Sequence, residues 1–176
     1  PGRCAKVTQA GQEGTYGFTV TGTIDSSHYC FEHLNEQGLR VEAGATVDSL
    51  HYGRFDFPAP NGTFLNFSTF DAQSRLYVAS CSFENTSEVQ GASNVLAGRA
   101  NPPGEVTFIA WAGALGGEAF DASTDPANPE DGIDAATGRI DWDEECTTCS
   151  VLFSKGEASP QGGEVSWGES GVPVLQ

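Results

Sequence analysis

The sequence predicts an all-β chain: an antiparallel β-sandwich, jelly-roll or Ig-like, of roughly eight to ten strands with little or no helix. Three observations lead there. Apolar and polar residues alternate over short runs, as in half-buried strands. The stretches between those runs are rich in Gly, Pro, Asn and Asp, the residues that make turns. Periodicity of the helical kind is almost absent.

Residues 1–14 are small and polar and read as an N-terminal arm anchored by Cys4. From Tyr16 a strand alternates, with Phe18, Val20 and Ile24 on one face and Thr19, Thr21 and Thr23 on the other. Asp25-Ser26-Ser27 reads as a turn, His28 to Leu34 as a short strand carrying Cys30, and Leu39 to Ala43 as a strand with clean alternation. Val47 to Tyr52 and Arg54 to Phe57 form a strand pair, or one strand bent at Gly53, ended by Pro58-Ala59-Pro60. Phe64 to Phe70 and Arg75 to Phe83 have the spacing of a hairpin with its turn at 71–74.

Residues 88–100 are the one place where a helical turn is expected, and Asn101-Pro102-Pro103-Gly104 stops it. Glu105 to Ala112 is nearly continuous in apolar residues, which predicts a central strand buried on both faces. A long acidic loop follows at 113–145, then strands at Ser150 to Ser154 and Glu164 to Trp167 and a C-terminal tail at 168–176. The recurrence of Ser27-His28-Tyr29 and Leu50-His51-Tyr52 is too short to define a repeat.

At 176 residues the chain fits a single domain, 1–176. It lacks an apolar run long enough to span a bilayer and a charged-then-apolar leader, so it reads as a processed mature chain beginning at Pro1. With 24 acidic against 8 basic side chains the formal charge is −16, a field that repels nucleic acid and anionic membrane surfaces.

Three N-x-S/T sequons, at Asn61, Asn66 and Asn85, point to a glycoprotein of the extracellular space or cell surface. Five cysteines, Cys4, Cys30, Cys81, Cys146 and Cys149, suit that oxidising compartment as disulfide candidates, with one left over and the connectivity open.

Chemistry has few footholds. Ten of the 28 residues from Glu118 to Glu145 are acidic, and Asp131, Asp134, Asp141 and Asp143 offer hard oxygen ligands suited to Ca²⁺, although no EF-hand register fits. A solvated acidic loop explains the same residues without a metal. His28 and His33 point to opposite faces of one strand, which argues against a shared metal there. Trp142 and Trp167 are candidates to stack on a sugar, while Trp111 belongs to an apolar run and reads as core. No nucleophile elbow, zinc-protease motif, P-loop or dinucleotide fingerprint is present in the sequence.

The function expected from these readings is non-catalytic. It is an extracellular structural glycoprotein that binds copies of itself, forming a filament or surface layer by exchange of terminal strands. Val172, Val174 and Gln176 alternate with Pro173 and Leu175 in a way such a tail can use. The alternative is a secreted carbohydrate-binding module that recognises extracellular glycans with calcium assistance. A secreted hydrolase working through an acid pair comes third. No cofactor other than Ca²⁺ is expected.

Overall fold

The computed structural model describes residues 4–10, 14–70, 76–98, 106–123 and 140–143, together with the backbone of two strands at 165–167 and 173–175. The chain divides into two compact units, Pro1–Glu144 and Glu145–Gln176.

In the first unit the alternating segments fold as short strands that return repeatedly to the same three faces. An opening turn is made by β1 (Ala5–Val7), β2 (Tyr16–Val20) and β3 (Thr23–Ser27). It is followed by β4 (Tyr29–Glu32), β5 (Leu34–Val41) and β6 (Thr46–His51), by β7 (Arg54–Asp56), β8 (Thr63–Phe67) and β9 (Leu76–Ala79), and by β10 (Ser82–Phe83), β11 (Ser93–Ala97) and β12 (Val106–Ile109). A bridge from Ala112 to Ser82, a 3₁₀ turn at Glu118–Phe120, β13 (Ala122–Ser123) and β14 (Ile140–Asp143) complete it.

One face is the sheet β1-β4-β7-β10 and the second is β13-β11-β8-β5-β2. The third is made of β3-β6 and β14-β12-β9. Between those two parts β6 and β9 are joined by Tyr52 N–H to Ala79 O at 2.9 Å and Ala79 N–H to His51 Nδ1 at 3.1 Å. Among the described residues every ladder in this unit is parallel.

The architecture is therefore a β-solenoid of about three complete turns, β4 to β12, with further strands at each end. This corrects the antiparallel sandwich expected from the sequence. Alternation reports that one face of a strand is buried and carries no information about the direction of its neighbour. The usual mark of a parallel sheet, strands apolar on both faces, is missing from most of the chain because no helices cover the solenoid's outside among the described residues.

Two further expectations change with it. Phe64 to Phe70 and Arg75 to Phe83 do not form a hairpin: β8 and β9 lie on different faces. Residues 93–97, expected within a helical turn, are β11, paired in parallel with both β8 and β13. The central strand predicted at Glu105 to Ala112 is found as β12, which lies between β9 and β14 with Val106, Thr107 and Phe108 all buried.

Parallel register places equivalent side chains directly over one another, and the core consists of such columns. Leu39, Leu65 and Val95 form one and are fully buried. Phe31, Phe55 and Phe83 form another, and Val78, Phe108 and Trp142 a third. The corner leading into the β1-β4-β7-β10 face is a single residue in the left-handed region: His28, Tyr52, Ser80 and Ala110 have φ between 53 and 57°. Side chains other than glycine rarely adopt that conformation. Here it is held because the amides of His28, Tyr52 and Ser80 donate to the carbonyls of His51, Ala79 and Ile109, one turn further on.

In the second unit the described strands are β15 (Val165–Trp167) and β16 (Pro173–Leu175), paired antiparallel. Among the described residues no helix is long and apolar enough to cross a membrane.

Candidate functional site

Among the described residues, the end of the solenoid formed by β1, β2 and β3 leaves backbone bonding capacity unused along one edge of each strand, as do β13 and β14 at the other end. Each of β1, β2 and β3 has one ladder neighbour there, β4, β5 and β6 respectively. An edge strand in a parallel sheet turns half of its backbone N–H and C=O groups away from that neighbour. Val7, Tyr16 and Phe18 are only partly buried, whereas Phe31, Leu34 and Leu39, which they face one turn inward, are fully covered. Ile24 on β3 is partly buried in the same way. The first turn thus presents a triangle of strand edges with apolar residues along its inner rim.

Three contacts keep this end ordered. A Cys4–Cys30 disulfide fastens β1 to β4, as the anchoring role read for Cys4 requires. Lys6 pairs with Glu32 at 2.6 Å across the same two strands. Tyr16 donates its hydroxyl to Val7 O at 2.9 Å, tying β2 to β1. Burial, reinforced by the nearby Glu32 charge, pushes the Tyr16 phenol up to about 12, so the hydroxyl stays a donor throughout the neutral range.

The outer surface of the β1-β4-β7-β10 face carries stacked acids, Glu32 over Asp56, flanked by aromatic corners. His28 stacks on Tyr52 with ring centroids 4.8 Å apart, and His33 on Phe57 at 4.6 Å. Asp56 is 1 % exposed and fully engaged. It accepts from Arg54 at 2.7 Å, from the Phe57 amide at 2.8 Å, and from the Thr86 amide and hydroxyl at 3.1 and 2.9 Å. Burial works to raise its pKa, but the donors from Thr86 and Phe57 and the Arg54 charge outweigh it, and the carboxyl sits below its ordinary range. This is a structural carboxylate with no free lone pair directed to a ligand. Inside the solenoid, burial also raises the pKa of Cys81, and burial together with Cys81 raises that of Tyr29.

The residues singled out from the sequence do not converge. Asn61 is exposed at a corner, Asn66 is 2 % exposed on β8, and Asn85 is half-buried in the loop after β10. Cys81 is free and buried. Asp141 and Asp143 lie half-buried on β14, beside Thr107 and Ile109 of β12. Trp142 lies between them and points inward: it is 6 % exposed, stacks on Phe108 at 4.3 Å and donates its indole N–H to Asp121 at 2.9 Å. Trp111, read as core, is instead half-buried. Asp131, Asp134, Cys146 and Cys149 lie outside the described residues, as does the side chain of Trp167. Among the described residues no group of three or more His, Cys, Asp or Glu is placed to hold a metal.

What sequence reasoning missed was the open first turn, since a strand's place at an edge depends on which other strands return to it. Set against family models, characterised proteins and solved structures, the chain matches none of them.

Proposed function

We propose that the chain is a non-catalytic structural glycoprotein of the extracellular space that associates with copies of itself by edge-to-edge strand pairing at its first turn. The observation that carries this reading is the triangle of edges on β1, β2 and β3 that is unpaired among the described residues, with Val7, Tyr16, Phe18 and Ile24 partly exposed along it. Solenoids need a polar cap where a stack ends, and an uncapped turn is a template for further strands. A second copy offers the same three edges in the same arrangement, so two first turns meet face to face about a two-fold axis. Strand exchange by the terminal segments has less support. Both β1 and β16 already pair within their own chain. The Cys4–Cys30 bridge accords with an oxidising compartment.

Two copies each carrying a charge of −16 repel at long range, so pairing strengthens as salt screens them. Sedimentation velocity over a range of concentrations and salt tests the reading. The unaltered chain is expected to form a dimer that strengthens with salt, and Phe18→Lys with Ile24→Lys is expected to keep it monomeric. A chain that stays monomeric at every concentration, or a double variant that associates as strongly as the parent, refutes it.

A further inference from the structure

The three sequons are equivalent in sequence, and the structure separates them. We infer that Asn61 is the one that carries an N-linked glycan in the folded protein, and that Asn66 and Asn85 do not.

Asn61 occupies an exposed corner with φ 54°. Its backbone is fixed on both sides: its amide donates to Gln90 O at 3.3 Å, and the Gly62 amide to Ala59 O at 3.0 Å. The side chain leans its carbonyl end on Gly91, where an added Cβ would come 2.3 Å from Oδ1, 3.3 Å from Cγ and 3.7 Å from Cα. Nδ2 is not among those nearest atoms, and the residue as a whole is exposed. A sugar on Nδ2 therefore extends into solvent from a rigid corner without breaking a hydrogen bond.

Asn66 cannot do the same. At 2 % exposure it is covered on the outer side of β8, and its Oδ1 accepts from the Ser68 amide at 3.1 Å. An oligosaccharide on that amide requires Asn66 to leave the covered position it holds on β8.

Asn85 fails for a stereochemical reason. Its Nδ2 donates to Val89 O and its Oδ1 accepts from Val89 N–H, both at 3.0 Å. A closed pair of this kind uses the Nδ2 hydrogen that lies cis to Oδ1. In a planar trans amide that cis position is where the carbon substituent sits, as the next Cα does in a peptide. A glycosylated Asn85 therefore replaces the bonding hydrogen with the sugar and opens the 85–89 loop.

The reaction is group transfer from a lipid-pyrophosphate-linked oligosaccharide. Nδ2 forms a bond to the anomeric carbon, the anomeric C–O bond to pyrophosphate breaks, and one amide proton leaves. Transfer precedes closure of the fold, so the folded structure selects which modified chains can complete it. The inference shares with the self-association reading only the secretory route, which the experiment supplies.

The chain is expressed behind a secretion signal in a eukaryotic host, and the secreted material is treated in heavy-oxygen water with an amidase that converts glycosylated Asn to labelled Asp. Peptide mapping is expected to find the label at Asn61 alone. Asn61→Asp, which suits the same backbone conformation, is expected to abolish the enzyme-dependent mobility shift, while Asn66→Gln and Asn85→Gln retain it. Label at Asn66 or Asn85 in secreted protein, or secreted protein without a glycan, overturns the assignment. The mapping on the unaltered chain stands whether or not any variant folds, and sedimentation of the same material reports on self-association separately.

Discussion

Phe55 stacks on Phe83 with ring centroids 5.4 Å apart and planes 4° from parallel. Phe31 continues the column on the other side of Phe55 at 5.9 Å and 12°. The register of β4, β7 and β10 produces this stack, since each phenylalanine faces the next across a parallel ladder. Phe55 is held between rings above and below and is fully buried, so a truncated side chain leaves a void its neighbours cannot fill. Phe55→Ala is expected to lower stability by about 3–5 kcal/mol, read as a fall in the denaturant midpoint at unchanged slope. A loss under 1 kcal/mol contradicts a column that packs the turns together.

Gly53 and Tyr29 are coupled in a different way. A Cβ at Gly53 would come 2.3 Å from Cζ of the Tyr29 ring, which lies across the glycine to bring its hydroxyl within 3.7 Å of Cys81 Sγ. Gly53→Ala must push the ring aside and is expected to cost about 1–3 kcal/mol. In a Tyr29→Ala background the clash is gone, and the same change is expected to cost much less. A double-mutant cycle by thermal or chemical melting checks this, and additivity of the two changes argues against the contact.

Much of the fold was legible in one respect and hidden in another. Strand positions and the central burial of Val106 to Phe108 follow from alternation and apolar runs. The solenoid repeat is also written in the chain, as Phe31-Glu32-His33, Phe55-Asp56-Phe57 and Phe83-Glu84-Asn85, which occupy equivalent places in successive turns. It escapes a search for fixed periods because the lengths between these triplets differ, the excess forming loops outside the ladders. The apparent echo of His28-Tyr29 in His51-Tyr52 misleads by one residue, since Ser27 is the one that pairs with His51. Corners at His28, Tyr52, Ser80 and Ala110 carry no turn signature at all, because neighbouring turns and not the residue type hold their backbone. The inward turn of Trp142 was hidden by the acids on either side of it, which in a strand belong to the opposite face.

The Cys4–Cys30 bridge closes a loop with a sequence separation of 26. A loop of that size stabilises by about 3.5 kcal/mol in the chain-entropy account. Its removal acts locally as well, because among the described residues β1 has no ladder partner except β4. Cys4→Ser is expected to raise amide exchange at Ala5, whose N–H donates to His28 O, well before exchange rises in β5 or β8. Uniform protection across all these strands in the variant would show that β1 holds without the bridge.

Asp56 sets the expected response to acid. Its carboxyl is held below the ordinary aspartate range in the folded protein, and in the unfolded chain it returns to that range. The folded state therefore binds this proton less readily than the unfolded state, and Asp56 contributes stability in full above the unfolded pKa. As pH falls from there through the depressed folded value, that contribution is lost. Asp56→Asn keeps an oxygen for the Phe57 and Thr86 amides but loses the charge opposite Arg54, together with the second oxygen that accepts from Arg54 and the Thr86 hydroxyl. At neutral pH the variant is expected to be less stable by about 1.5–3 kcal/mol, the range for hydrogen bonds to charged groups. The gap between variant and parent is expected to close as pH falls below about 4, where the unfolded aspartate begins to protonate. Melting curves of both proteins from pH 7 to pH 2 decide it: a constant difference over that interval means that the Asp56 charge does not join the turn of β7 to the loop of Thr86.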